Sequence, residues 1–386
     1  MKNILTSGVA IGAVAIGCAA PAQQAPKPKI EAVYWISAET TSGMATGRSD
    51  GIEKNLMLQL GSSRSQSAPS AVHMPPATLK AGERLPLVTP KHASQKPDSP
   101  TDYRPGVADG IKGRIELYWG CGETAPAGQP FVIDLSKLRP GSASPFGAVP
   151  QVSAMTPPSQ GRHATYGEWP NGRKGTRVPR DASLAGEHVV QGNYSPEMRF
   201  AIANGADFLG ALTPKHDALP SGAVMVSWPA LTHGRGTIMT VVAAREDGTT
   251  VMWSSSAVRM PGMALPDYLA ESEAARLVQQ RILLSPQTTQ CAVPAAVAKA
   301  SDSAMLMMTA FGAEANYGSP KDAPLGWTVK LRTKATHMSV LGVDLAAMMR
   351  GDDDGTDHDV PAEATKPKKK RGLLRGVIGG ALGIPG

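Results

Sequence analysis

The clearest secondary-structure pattern of the chain lies at residues 223–258, which read AVMVSWPALTHGRGTIMTVVAAREDGTTVMWSSSAV. Within it, three runs are rich in β-branched and aromatic residues, at 223–228, 237–243 and 249–254. Turn residues separate these runs, first His233-Gly234 and then Asp247-Gly248. Asp-Gly between β-branched runs is a strong hairpin signal. The stretch therefore predicts three successive strands, the last two forming a hairpin.

The composition of the whole chain also favours β structure. The 386 residues include 41 Gly and 33 Pro, which suits many short elements joined by turns better than long helices. Hydrophobic residues make up 41% of the chain, enough for a real core. We therefore predict a mostly β protein with two β-sandwich-like domains, one or two short helices, long Pro/Gly-rich loops and a disordered charged C-terminal tail.

Changes in pattern along the chain suggest where these parts begin and end. We predict an N-terminal β domain at 30–160, a linker or loops at 161–190, a C-terminal β domain at 191–350, and an acidic linker followed by a basic glycine-rich tail at 351–386. In the first domain, the β-branched and aromatic run Ala32–Thr40 predicts a strand.

The C-terminal domain contains the one credible long helix, at about 266–284. Pro266 and Asp267 suit a first helical turn, and no breaker follows until Pro286. Further on, Cys291–Val297 and Trp327–Leu331 read as strands. Side chains alternate between the two faces of a strand. In the strand at Trp327–Leu331 we therefore expect Val329 and Leu331 to point inward, and the cations Lys330, Arg332 and Lys334 to point outward.

Residues 212–256 resemble a fibronectin type III or related immunoglobulin-like domain. In that family a strand ending in Trp is followed by Pro, a turn, a strand and a further hairpin. Here Val224, Val226, Trp228 and Pro229 take the first places, followed by Ile238–Val242. The resemblance implies a β-sandwich, whose members are mostly adhesive or structural.

The first 22 residues are typical of a signal peptide, because Lys2 precedes an uncharged apolar run, Ile4–Ile16, too short to span a bilayer. Positions 15–18, Ala-Ile-Gly-Cys, resemble the lipobox of bacterial lipoproteins, which implies that Cys18 is lipidated. A second possibility is cleavage after Ala22, which leaves a soluble periplasmic protein beginning at Gln23, and a third is an uncleaved anchor. We expect export, with a periplasmic or outer-membrane-anchored product.

Export places the remaining cysteines, Cys121 and Cys291, in an oxidising compartment. An even pair there suggests a disulfide. The alternative is two buried free thiols, which behave as small hydrophobic side chains.

The net charge of +7 does not point to nucleic acid as a partner in an exported protein. An acidic block at 352–363 balances the basic residues of the tail, so the excess charge lies in the body of the chain. Envelope proteins or an anionic membrane or wall surface are the expected partners. The tail is either a disordered end or a docking peptide, whose candidate residues are Lys368, Lys369, Lys370, Arg371, Gly372, Gly376 and Gly380.

One short pattern, Tyr-Trp-x-x-x-Glu-Thr, occurs twice in the sequence. The copies contribute the pairs Trp35 with Glu39 and Trp119 with Glu123. Either these are two similar strands that each end in a polar turn, or the four residues line a carbohydrate-binding face.

Motifs of catalysis are absent from the sequence: it has no G-x-S-x-G, H-E-x-x-H, paired C-x-x-C or Walker loop. We therefore predict no catalytic residue, metal or cofactor. The favoured function is a non-catalytic structural or binding protein of the Gram-negative cell envelope, within a larger assembly. The alternatives are a carbohydrate- or peptidoglycan-binding module and a hydrolase with an unrecognised site.

Overall fold

A computed structural model describes residues 29–47, 51–91, 113–137, 149–171, 176–261 and 265–342. The strands of these residues are β1 Ile30–Gly43, β2 Ile52–Ser62, β3 Ala71–Met74, β4 Leu85–Leu87, β5 Arg114–Trp119, β6 Phe131–Asp134, β7 Thr165–Trp169, β8 Thr176–Val178, β9 Gly186–Gly192, β10 Ser195–Ile202, β11 Lys215–Ala218, β12 Val224–Ser227, β13 Gly234–Ala244, β14 Thr250–Ser254, β15 Gln290–Val293, β16 Met305–Gly318 and β17 Gly326–Val340. The α-helices are α1 Glu271–Gln279 and α2 Ala295–Ala298.

A ten-stranded sheet forms the frame of the molecule, in the order β6-β5-β14-β13-β16-β17-β1-β2-β7, with β8 also paired to β2. Its longest strands, β1, β16 and β17, lie together at the centre. The first strand pairs in parallel with the last, β1 with β17, and antiparallel with β2. The two ends of the described chain therefore meet at the middle of the sheet.

Two smaller sheets pack on one face of this frame, which we call the first face. The four-stranded sheet β10-β9-β3-β4 covers β1, β2 and β17 of the frame. The frame residues Tyr34, Ile36 and Leu58 are buried against the apolar side chains of this smaller sheet. The three-stranded sheet β11-β12-β15 covers β13, β14 and β16, burying Val241 and Trp253. Each pair of layers encloses its own apolar core, as in a β-sandwich.

The predicted fold class is confirmed, since the protein is mostly β with several sheets and two helices among the described residues. The three strands predicted at 223–258 correspond to β12, β13 and β14. However, β12 lies in the three-stranded sheet, whereas β13 and β14 pair in the frame.

The predicted domain boundary does not separate two sheets. Strands of the predicted N-terminal domain pair with strands of the predicted C-terminal domain, β1 with β17 and β5 with β14. The predicted linker at 161–190 also contains the paired strands β7 and β8 and the start of β9. Strand pairing between distant segments leaves no mark in the local sequence pattern, which explains both corrections.

Two further predictions need correction. The helix predicted at 266–284 is only α1, because Tyr268 and Leu269 precede it in an irregular segment and are buried, and Arg281 has a left-handed φ of 57°. The strand predicted at Cys291–Val297 ends at Val293, since Pro294 is the N-cap of α2 and the residues after it are helical. Within the described part of the chain, no helix is long and apolar enough to cross a membrane.

Candidate functional site

The opposite face of the frame, the second face, is polar at its centre. Alternation along β1 places Trp35, Ser37 and Glu39 there, because Tyr34, Ile36 and Ala38 occupy the first face. The parallel register pairs Trp35 with Lys330, Ser37 with Arg332 and Glu39 with Lys334. These six residues and Tyr268, which covers them, form a group that we call the cationic cluster.

Arg332 is at the centre of the cationic cluster and is only 9% exposed. Its guanidinium carbon lies 4.1 Å from the ring centroid of Tyr268 and 4.9 Å from that of Trp35. Its Nε donates a hydrogen bond of 2.8 Å to Ser37 Oγ. Contacts between a desolvated cation and an aromatic ring stabilise by about 2 kcal/mol. The rings and the serine together fix the orientation of the guanidinium.

Lys334 is a second buried cation, and it has carboxylate partners. Its Nζ lies 3.3 Å from Asp267 and 3.5 Å from Glu39, and 4.9 Å from the centroid of Tyr268. Burial acts to lower the pKa of Lys334, but Tyr268 in its ionised form and the carboxylates of Asp267 and Glu39 raise it above its ordinary value. Burial also raises the pKa of Tyr268 to about 12, so the phenol is neutral at neutral pH.

Lys330 completes the row of cations at the edge of the cluster. Its Nζ lies 2.7 Å from Glu314 on β16 and 5.8 Å from the Trp35 ring centroid. Glu314 Oε2 also accepts a hydrogen bond of 3.0 Å from the backbone N–H of Glu271, the first residue of α1. The carboxylate of Glu314 therefore links the cluster to the helix that packs on the second face.

The side chains of the strand predicted at 327–331 point to the two faces as expected, but the cations are not exposed as expected. Val329 and Leu331 enter the core of the first face, and the three cations point to the second. Arg332 and Lys334 are nevertheless buried, because the segment that carries Tyr268 covers them. The run of alternating cations in β17 was the available signal for this site. What the sequence did not contain was any sign that a second layer lies above it.

The residues predicted to bind carbohydrate do not form one site. Trp35 is 8% exposed and contacts cations, whereas Trp119 is half-buried and Glu123 is exposed in a turn. Both rings belong to the second face, but four strands lie between β1 and β5. At about 4.8 Å per strand, the two rings are about 24 Å apart across the sheet. A single sugar ring cannot contact both, so the four residues are not a shared platform.

Cys121 and Cys291 are joined by a disulfide, with an S–S distance of 2.07 Å and a Cα–Cα distance of 5.2 Å. Cys121 follows β5 of the frame, and Cys291 belongs to β15 of the three-stranded sheet. The bond therefore ties one small sheet to the frame across a sequence separation of 170 residues.

Other predicted features lie outside the described residues. These are the signal peptide at 1–22 with Cys18, and the tail with Lys368, Lys369, Lys370, Arg371, Gly372, Gly376 and Gly380. Within the described ranges, no group of three or more His, Cys, Asp or Glu side chains could hold a metal ion.

Comparison with known proteins adds no family to this geometry. No family model matches the chain, and no curated protein matches it. Among solved structures, it is similar to the Mu homology domain of Fcho1 from Danio rerio, solved with a bound Eps15 peptide. The identity is 8%, the match covers 82% of this chain and 98% of that chain, and the TM-score is 0.23. At that TM-score the similarity carries no argument about fold or function.

Proposed function

We propose that this protein is an exported, non-catalytic structural or binding protein of the Gram-negative cell envelope. The observation that carries the proposal is the disulfide between Cys121 and Cys291. Disulfides persist in the periplasm and are rare in the bacterial cytosol, where thioredoxin and glutathione keep thiols reduced. The signal-peptide pattern at residues 1–22 independently supports the same compartment.

A binding role within a larger assembly suits the architecture. The frame and its two small sheets form two cores that share one sheet, and the frame presents a fixed cationic cluster on its second face. In this proposal Cys18 carries a lipid anchor, and the basic tail docks on an anionic surface or an envelope partner. The buried Trp35 does not favour the carbohydrate alternative, because a sugar platform must be open to solvent.

The thiols of the full-length protein test the proposal. After expression in a Gram-negative host, fractions are treated with a polyethylene glycol maleimide before and after reduction. We expect the protein in the periplasmic or membrane fraction, with Cys121 and Cys291 unreactive until they are reduced. A matched variant that lacks residues 2–22 should stay in the cytosol with both thiols reactive.

Two outcomes would contradict parts of this proposal. Recovery of the full-length protein in the cytosol with reactive thiols would refute export. The variant Cys18→Ser tests the anchor separately, since it should release the protein from the membrane fraction. A mature chain that begins at Gln23 would instead indicate a soluble periplasmic protein.

A further inference from the structure

Two histidines are in direct contact in the core between the four-stranded sheet and the frame. His73 on β3 and His188 on β9 are both fully buried. Nε2 of His73 lies 2.9 Å from Nδ1 of His188. Nδ1 of His73 lies 2.8 Å from Oη of Tyr34 on β1. Nε2 of His188 lies 2.7 Å from the carbonyl oxygen of Leu184, so all four ring nitrogens have a partner.

One placement of hydrogens satisfies these contacts when both rings are neutral. A carbonyl oxygen only accepts, so His188 carries its hydrogen on Nε2 and accepts at Nδ1. His73 then donates from Nε2 and accepts at Nδ1 from the hydroxyl of Tyr34. The two nitrogens without a hydrogen are therefore the two Nδ1 atoms, and a donor already points at each of them.

A proton added to either ring disrupts this arrangement. On Nδ1 of His188 it places two N–H groups face to face across 2.9 Å. On Nδ1 of His73 it forces the hydroxyl of Tyr34 to turn away, which leaves a buried donor without its acceptor. Transfer of the proton from one ring to the other moves the conflict between these two contacts and does not remove it.

The surroundings of the two rings provide no counter-charge for an imidazolium. The other titratable side chains beside them are phenols, Tyr34 itself and Tyr194, which acts on Tyr34. Two charged side chains belong to the same layers, Lys54 and Asp207. Asp207 is hydrogen-bonded to backbone N–H groups and a serine hydroxyl, and Lys54 to a backbone carbonyl. Among the described residues, no carboxylate acts on either imidazole.

We propose that His73 and His188 form an acid-sensitive switch, which holds the four-stranded sheet on the frame while both are neutral and releases the sheet when they take up protons. The hydrogen bond to Tyr34 connects the sheet with β1, so its loss separates the two layers at the core that they share. This inference does not depend on the proposed compartment, because it uses only the geometry of the core.

The direction of the effect follows from proton linkage. Burial lowers the pKa of both histidines, and the neighbouring His188 lowers the pKa of His73 further. In the unfolded chain the pKa of each is about 6.5. The stability that the pair provides is therefore complete above pH 6.5 and is lost as the pH falls toward the lower, folded-state pKa values. Because unfolding takes up to two protons here, the unfolding constant rises by up to about 100-fold per pH unit below pH 6.

Urea unfolding of the full mature chain between pH 8 and pH 5 measures this proton uptake, above the ordinary pKa of carboxylates at about 4. The variant His73→Gln keeps a donor toward His188 but cannot be protonated. We expect its unfolding constant to rise up to about tenfold less per pH unit than that of the unaltered protein. His233→Asn is the matched control, because this side chain is exposed and Asn tolerates the left-handed φ of 68° at this position. Its pH dependence should not change.

Two measurements on the unaltered protein locate the switch. The ¹⁵N signals of the histidine rings should show the neutral Nε2–H form of His73 and His188 at pH 5.5, where an exposed histidine is mostly protonated. Hydrogen exchange should show where the structure opens. Between pH 7 and pH 5 we expect the protection factors of β9 to fall at least about tenfold more than those of β15, which the disulfide ties to the frame.

Three results would overturn the proposal. They are titration of His73 or His188 near pH 6.5 in the folded protein, an equal loss of protection in β9 and β15, and an unchanged pH dependence in a folded His73→Gln variant. If His73→Gln does not fold, the ring signals and the hydrogen exchange of the unaltered protein decide.

Discussion

At the scale of single residues, a chain of buried hydrogen bonds links the frame to the four-stranded sheet. Tyr34 Oη lies 2.8 Å from His73 Nδ1, His73 Nε2 lies 2.9 Å from His188 Nδ1, and His188 Nε2 lies 2.7 Å from the carbonyl oxygen of Leu184. Both histidines are fully buried. Burial lowers the pKa of each, and for His73 the neighbouring His188 lowers it further, so both are neutral at neutral pH.

The donor and the acceptor of each of these hydrogen bonds follow from the last partner in the series, the carbonyl group of Leu184. The carbonyl of Leu184 can only accept, so Nε2 of His188 carries a hydrogen and its Nδ1 accepts. His73 therefore donates from Nε2, and its Nδ1 accepts from the hydroxyl of Tyr34. Every polar atom along the chain is satisfied, which identifies it as a structural link between two layers.

Two buried tyrosines provide a matched pair for this interpretation. Tyr34→Phe removes the donor to His73 Nδ1 and should lower the free energy of unfolding by about 1–3 kcal/mol. Tyr194 is equally buried, but its hydroxyl has no partner among the described residues, so Tyr194→Phe should leave stability unchanged or raise it. Urea unfolding at neutral pH measures both. Equal losses in the two variants would mean that ring packing, not the hydrogen bond, determines the cost.

At the scale of elements, a β-bulge in β16 positions part of the cationic cluster. The pairing with β17 advances from Phe311 opposite Lys334 to Glu314 opposite Arg332, so β16 contains one extra residue there. If regular pairing continued from Phe311 without a bulge, residue 314 would lie opposite Leu331 and point to the first face, away from Lys330. The bulge therefore places a carboxylate beside the cations.

Gly312, within the bulge, tests this arrangement. A Cβ at this position would overlap Thr333 Oγ1 and lie 3.1 Å from the carbonyl oxygen of Thr333. We expect Gly312→Ala to lower the free energy of unfolding by about 1–3 kcal/mol through this overpacking. Gly161→Ala is the control, because nothing lies within 4 Å of its Cβ position. Thermal and urea unfolding compare the two, and a neutral Gly312→Ala would show that the bulge adapts to a side chain.

The elements also show what the sequence could predict. Runs rich in β-branched and aromatic residues were sufficient to predict β1, β13 and β14, most of whose side chains are buried. The bulge, the partner of each strand and the shortening of α1 depend on contacts with distant segments. For the same reason the cations of β17 were expected at the surface. The two cysteines were recognised as a pair from the compartment alone, and the structure then brings them together.

At the scale of the whole molecule, the fold cannot be divided at the boundary that the sequence suggests. The frame needs β1 and β5 from the first half of the chain beside β17 and β14 from the second. One core likewise combines Ile36 with Leu331, which lie at opposite ends of the chain. Such non-local pairings require most of the chain before any layer is complete.

This interdependence predicts the behaviour of fragments. We expect the fragment 191–350, expressed alone in an oxidising compartment, to unfold without a cooperative transition, because β17 and β14 each lose a neighbour and leave long unpaired edges. Adding a separately expressed fragment 29–160 should restore part of the cooperative transition, since β1 and β5 then regain their partners. Thermal unfolding followed by circular dichroism, with the intact chain as control, distinguishes the cases. A cooperative transition of 191–350 alone would show instead that the three-stranded sheet and its part of the frame form an autonomous domain. In that case the frame would consist of two units that fold separately and then pair edge to edge, and the protein would not be a single folding unit.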